Sequence, residues 1–290
     1  MTATDLQGSS RAWPALAAAA LSLLLSACAG DGRLPAAAGS ATGTPPLVQA
    51  ASANPPRSVL YVGNSFMYYN NGLHGLTQRI ARAAAGGKAA AHRATLLTIG
   101  GAGLDWHDLE SYLRPDGLGR YSFVGDNEVR FNLPGRQYDT VVLMDCSQCP
   151  VHPVLSKIFF DYVRRHSATA RAKGVEPMLL MTWAYADKPD MTQGLADAYT
   201  EAGRQNRAHV IPAGLAFAAS MAVRPDINLY VPDKRHPSLA GSYLAAATLV
   251  ASVWNVNPVG STFTAGLPAD VARHLQQVAW DTARSYHGRP

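Results

Sequence analysis

Residues 61–71 read "YVGNSFMYYNN", and the reading given to Gly63-Asn64-Ser65 decides the rest of the chain. The tripeptide follows the apolar run 59–62 and leads straight into Phe66-Met67, so it stands where a strand gives way to a helix. Glycine makes tight turns, and Asn and Ser cap helices, so the stretch can be no more than a capped turn. The other reading makes Ser65 a nucleophile displayed at the end of the first strand.

From Ser58 onward, short β-branched or Leu-rich runs alternate with segments of helical period. Strands are expected at 58–62, 95–99, 140–145, 178–182 and 209–211. Apolar residues recurring at three or four positions mark the helices between them, as at Leu73, Leu76 and Ile80, and at Leu155, Phe159, Tyr162 and Val163. Two further helices are expected near 238–253 and 268–285, the second with Pro268 in its first turn and Val271, Leu275 and Val278 on one face. The order predicts an α/β fold of three layers, α/β/α, with a central parallel sheet of about five strands. In such a sheet the ligand crevice lies beyond the carboxyl ends of the strands. Gly63-Asn64-Ser65, Gly100-Gly101, Asp145-Cys146-Ser147, Trp183 with Tyr185, and Pro212-Ala213-Gly214 are therefore the segments to inspect.

The 290 residues, 48% hydrophobic and 16% charged, suffice for one large core. The N-terminus has a different composition. An apolar run, 15–25, follows Arg11 and is too short to span a bilayer; it ends in Leu25-Ser26-Ala27-Cys28. This is read as an export signal, 1–27, whose last residues with Cys28 resemble a bacterial lipobox, the Cys being the lipidated residue. Residues 28–57, rich in Ala, Gly, Ser, Thr and Pro, are expected to be a disordered tether, leaving 58–290 as the domain. Ala29 stands where an Asp would signal inner-membrane retention, which favours an outer-membrane anchor facing the periplasm or the surface. The net charge is +5, yet the densest basic group, Arg164-Arg165 with Arg171 and Lys173, falls within one expected helix, so no nucleic-acid partner is expected.

The stretch "YVPDKRHPSLAGSYLAA", residues 230–246, puts Asp233 and His236 three apart in a turn bounded by prolines. A carboxylate at that spacing can reach Nδ1 of the imidazole while Nε2 points elsewhere. An acyl-transfer base needs this, because one tautomer must be held and the positive charge it acquires stabilised. Without such a base a serine hydroxyl is a poor nucleophile. Alone, the Asp–His pair is commonly a cap or an ion pair; its weight comes from its coincidence with Ser65.

Together "VGNSF", "TIGGAGLDWH" and "DKRHPSLAGSYLAA" resemble the blocks of the SGNH, or GDSL-type, hydrolase superfamily over about residues 58–284. They are most similar to a bacterial, exported branch in which Asn commonly replaces the Asp of Gly-Asp-Ser. The resemblance implies the flavodoxin-like SGNH fold, with Ser65 as nucleophile, His236 as general base and then acid, and Asp233 as its orienting partner. It also implies an oxyanion hole from the backbone N–H groups of Ser65 and Gly101, with Gly100 a close rival. The superfamily places a further Asn donor after the third strand, where this chain reads Met144-Asp145-Cys146-Ser147. An ionised Asp145 would repel an oxyanion, so the donor is Ser147, a backbone N–H or a protonated Asp145, or there is none.

With Cys28 assigned to lipid, Cys146 and Cys149 remain as a pair in an exported chain, and a disulfide is favoured over two free thiols. His152 adds a third zinc-type ligand, but the run supplies no fourth, so neither metal nor cofactor is expected. His107, Trp183 and Tyr185 are weaker candidates for lining the substrate pocket. The leading functional reading is a serine esterase that removes a small O-acyl group, acetyl above all, from a cell-envelope or extracellular carbohydrate. Its partners would be that small-molecule or polysaccharide ester and the membrane holding the lipid. A lipid or thioester hydrolase is the alternative enzyme, and a catalytically weak glycan-binding lipoprotein the alternative of another class. A redox or metal protein built on the two cysteines is a third.

Overall fold

β1 (Ser58–Gly63) is buried along its whole length, which is why it reads as an unbroken apolar run instead of an alternating one. It lies between β2 (Arg93–Thr98) and β5 (Thr140–Leu143) in a parallel sheet completed by β6 (Glu176–Leu180) and β7 (His209–Ile211), in the order β2-β1-β5-β6-β7. A short antiparallel pair, β3 (Tyr121–Phe123) and β4 (Val129–Phe131), interrupts the alternation in sequence. The structure, a computed structural model, describes residues 55–84, 90–115, 117, 118, 121–123, 129–131 and 135–289. The expected signal segment and Cys28 lie outside the described residues, as does the tether as far as Asn54.

Successive side chains of a strand point to opposite faces, and each face has its own helices. Val59 and Tyr61 of β1 and Val142 of β5 join one core with α2 (Leu73–Ala83), α6 (Ala213–Val223), α7 (Leu239–Trp254) and α8 (Ala269–Tyr286). Leu60, Val62, Val141 and Leu143 join the other with α4 (Leu155–Ala172) and α5 (Met191–Asn206). The short α1 (Ser65–Tyr68) and α3 (Leu109–Tyr112) follow β1 and β2. The result is the three-layer α/β/α fold expected from the sequence.

Several boundaries differ from that expectation. Pro56 and Arg57, assigned to the tether, already belong to the fold: the Pro56 carbonyl accepts from Trp254 Nε1 at 3.1 Å, and Arg57 N donates to Asp139. The third strand stops at Leu143, before Asp145, and the fourth begins at Glu176 instead of Met178. The chain leaves β1 for β2 on one side and returns to β5 on the other. Loops diverge at such a switch point and open a crevice beyond the carboxyl ends of β1 and β5.

Candidate active site

Asn64 caps α1 and ties the crevice together. Its Oδ1 accepts from Phe66 N at 3.2 Å, and its Nδ2 donates to the carbonyls of Ala102 at 2.9 Å and Asp145 at 3.0 Å. One buried amide thereby joins the segments that follow β1, β2 and β5. Gly63 permits the turn because a Cβ there would lie 2.9 Å from Met67 Sδ and 3.3 Å from the Met144 carbonyl oxygen. Ser65, in the first turn of α1, is thus fixed at the crevice.

The His236 loop is a second compact turn. Asp233 Oδ1 accepts from the backbone N–H groups of Arg235 and His236, both at 2.9 Å, and Oδ2 accepts from His236 Nδ1. His236 Nε2 then faces Ser65 Oγ at 2.8 Å. The structure brings all three residues into one line, across 171 positions of sequence. With its Nδ1 proton held by the carboxylate, the imidazole presents a lone pair to the hydroxyl, the arrangement that removes a proton as the oxygen attacks. Burial acts to raise the Asp233 pKa, but the hydrogen bonds from the His236 ring and the two backbone N–H groups prevail and hold it at about 2.

Four aromatic side chains pack against or behind this loop. Tyr69 stacks on the imidazole with centroids 4.5 Å apart, and Phe66 meets it edge-on. Phe66, Trp183 and Phe217 form a continuous stack, at 4.7 and 4.3 Å, and Trp183 Nε1 donates to the Arg235 carbonyl at 3.0 Å. Trp183 is therefore buried support for the loop and does not line a pocket, contrary to the expectation from sequence. His107 is corrected in the same way: it is buried and its Nε2 donates to the Gly63 carbonyl at 3.0 Å. Tyr185 is also buried, sharing a 2.7 Å hydrogen bond with Ser147 Oγ and lying under the Arg235 guanidinium.

Gly101 has φ of 76°, a left-handed conformation that favours glycine. Among the described residues the backbone N–H groups of Ser65, Gly101 and its rival Gly100 donate to no protein acceptor, whereas Ala102 N is taken up by the Ile99 carbonyl. Asp145 is only 2% exposed, and its Oδ1 accepts from Leu104 N at 3.0 Å and Cys146 N at 2.6 Å. Burial raises its pKa to about 6, against the lowering effect of those two bonds. Cys146 and Cys149 are joined as a disulfide. Their sulfurs and the Asp145 carboxylate form a cluster of metal-ligand type, but thiols committed to a disulfide offer no thiolate.

The sequence reading missed Tyr69 and Asn70. Asn70 Nδ2 donates to the carbonyls of Pro237 and Ser238 and to Ser242 Oγ, pinning the segment after α1 to the segment after His236. Asn70, Asn71 and Gly72 all have positive φ. The "NNG" triplet was the available signal, since Asn and Gly tolerate that conformation best.

No protein-family model and no curated protein matches the sequence. Solved structures do. A DUF4886 family protein from Bacteroides uniformis is 16% identical, with a TM-score of 0.53 over 78% of this chain and 94% of that one. A candidate SGNH hydrolase from Slackia heliotrinireducens is 26% identical over 66% of this chain and 95% of that one, with a TM-score of 0.48. A variant of an acetyl-xylooligosaccharide esterase from Geobacillus is 13% identical over 67% and 92%, with a TM-score of 0.46. At these identities the likeness is one of fold, and the function has to be argued from the site.

Proposed function

We propose that the protein is a serine ester hydrolase acting through an acyl-enzyme on a small O-acyl group, acetyl above all, carried by a carbohydrate. The observation that carries this reading is the hydrogen-bonded line from Ser65 through His236 to Asp233 at the switch point of the sheet. Ser65 Oγ attacks the ester carbonyl as its proton passes to His236 Nε2, while Asp233 stabilises the imidazolium and takes no proton. The oxyanion turns to the N–H groups of Ser65 and Gly101. Collapse expels the alcohol, which takes its proton from His236. Water then attacks the acyl-serine with His236 again as base, releasing the acid and restoring Ser65.

The aromatic stack supports a small acyl group. Phe66, Trp183 and Phe217 pack as buried, stacked rings behind the His236 imidazole and the Arg235 carbonyl, so that space is taken by side chains of the protein. Two exposed rings support a carbohydrate. Trp106 is 61% exposed on the segment that follows Gly101, and Tyr68 is 43% exposed with its hydroxyl 3.6 Å from where a Cβ on Gly100 would stand. Flat aromatic faces beside a polar reaction centre suit the apolar faces of sugar rings.

A fluorophosphonate followed by peptide mass spectrometry tests the mechanism. The adduct should fall on Ser65, and the Ser65→Ala variant should neither label nor turn over p-nitrophenyl acetate. An adduct on another residue, or full activity in Ser65→Ala, overturns the reading in favour of a binding protein or a different chemistry. For location, the reading is a lipid anchor at Cys28 in the bacterial envelope, supported by "LSAC" ahead of the polar, proline-rich segment. Cys28→Ser should remove the acyl mass from the mature N-terminal peptide and abolish detergent partitioning; a soluble, unacylated wild type would overturn it. Among the described residues no helix is long and apolar enough to cross a membrane.

A further inference from the structure

A cleft of about 430 Å³, the size of a small-ligand site, lies between the N-terminal half of α2, the start of α7 and the segment 262–266. Ser65, His236 and Asp233 do not line it, but two of its wall residues are close in sequence to residues of that site. Asn70, in its wall, follows the Tyr69 ring that stacks on His236, and Leu239, also in its wall, comes three residues after His236. The Asn70 amide, bonded to the Pro237 and Ser238 carbonyls, joins the two walls directly.

The lining has a distinct chemistry. Beside Leu76, Leu239 and Ala265 it presents the Asn71 amide, the hydroxyls of Thr262 and Thr264, and the Arg79 guanidinium, which lies 5.6 Å over the Phe263 ring. Among the described residues no carboxylate lines it. An acyl chain laid here would strip water from the Asn71 amide, the two hydroxyls and the guanidinium without replacing their hydrogen bonds. A polyhydroxylated ligand, whose hydroxyls both donate and accept, would replace them. We infer that this cleft binds the saccharide bearing the scissile ester, on the alcohol side of the bond. The inference rests on the hydrolase reading above and adds to it a place for the leaving group.

Gly75 gives a clean way to fill the cleft. It lines the cleft from α2, and a Cβ there would meet nothing within 4 Å. Glycine is also a poor helix residue, so replacing it does not threaten the fold. The probes are partially O-acetylated oligosaccharides of xylose, glucose and N-acetylglucosamine, with p-nitrophenyl acetate as an ester that has no saccharide. Gly75→Phe should lower kcat/KM on an oligosaccharide at least about tenfold more than on p-nitrophenyl acetate, mainly through KM. In the Ser65→Ala background calorimetry should detect oligosaccharide binding, and adding Gly75→Phe should abolish it. Equal effects on both esters, or unchanged oligosaccharide binding after filling, overturn the cleft. Binding that is lost on filling, in a protein that hydrolyses neither ester, upholds the cleft and sinks the hydrolase. Hydrolysis of p-nitrophenyl acetate with no oligosaccharide bound or cleaved does the reverse.

Discussion

His236, beyond the carboxyl end of the central sheet, and His209, at its amino end, are held in opposite ways. At the carboxyl end, the His236 side chain is 26% exposed and hydrogen-bonded to a carboxylate on one nitrogen and a hydroxyl on the other. At the amino end, His209 opens β7 and stacks on His287 at the close of α8, with centroids 4.4 Å apart and both rings buried. Burial first, and then the nearby Arg289 charge, lowers His209 to about 4 despite its bond to the Ser252 carbonyl. Burial, His209 and Arg289 lower His287 as well. An imidazole with water access and a carboxylate can carry a proton in passing, whereas one sealed beside a guanidinium serves only while neutral. The same side chain thus serves chemistry at one end and packing at the other.

The largest effect should come from cutting the line at the carboxyl end. His236→Ala should reduce turnover of p-nitrophenyl acetate by at least about a thousandfold, as should Ser65→Ala, with stability changed by no more than about 1 kcal/mol. Asp233→Asn should lose at least about a hundredfold. Its Oδ1 can still accept the two backbone N–H groups, but an amide NH2 would face the Nδ1 proton and favour the wrong tautomer. Kinetics beside thermal unfolding of each variant check this, and a variant that is inactive only because it is unfolded would remove the contrast.

The carboxyl end was the more legible of the two in sequence. Gly63-Asn64-Ser65 and Asp233 to His236 are local patterns, and turn chemistry fixes each within a few residues. The sheet was also legible, because strands buried on both faces need β-branched runs. Contacts between distant segments were not. Trp183 follows a strand, a position that in sequence suggests a pocket wall; only its meeting with Phe66 and Phe217 shows it buried. The helix α6, "AGLAFAASMAV", carries apolar or small residues all round, since it packs on α7, α8 and α5, and so has no polar face to reveal its period. His209 and His287 lie 78 residues apart, with no local signal to pair them.

The amino end should set the acid limit of the fold. A histidine whose folded pKa is depressed supports folding above the unfolded value of 6.5 and loses that support as pH falls toward the folded value, here about 4 for His209. The loss reaches about 3 kcal/mol by pH 4 for one such ring. His287→Phe keeps a ring for His209 to stack on and removes a buried Nε2 that has no partner among the described residues. Stability at pH 7.5 should be unchanged or higher, and the loss between pH 6.5 and 4 smaller by about 3 kcal/mol. Urea titrations at the two pH values measure both, and an unaltered acid limb would show that the pair does not titrate with unfolding.

The smallest effect runs the other way, at the carboxyl end, through Asp145. Its pKa is raised from 3.8 to about 6, chiefly by burial, so the folded state prefers the protonated form. Below about pH 4 the folded and unfolded states both hold the proton and Asp145 adds no pH dependence. Between about 4 and 6 the unfolded chain releases it first, so stability falls as pH rises, and above 6 the deficit stays near its full size of about 3 kcal/mol or less. In wild type this slope opposes that of the histidine pair and partly hides it. Asp145→Asn can keep the Leu104 and Cys146 N–H bonds on Oδ1 while removing the charge. It should raise stability at pH 7.5 by about 1–3 kcal/mol, change it little at pH 4, and so make the acid limb steeper. Turnover at pH 7.5 should rise too, because an anion bonded to Leu104 N, three residues beyond Gly101, opposes charge developing on the oxyanion. Equal stability changes at pH 4 and 7.5 would mean that the carboxylate is not ionised against its burial, and the two ends of the sheet would then differ in their histidines alone.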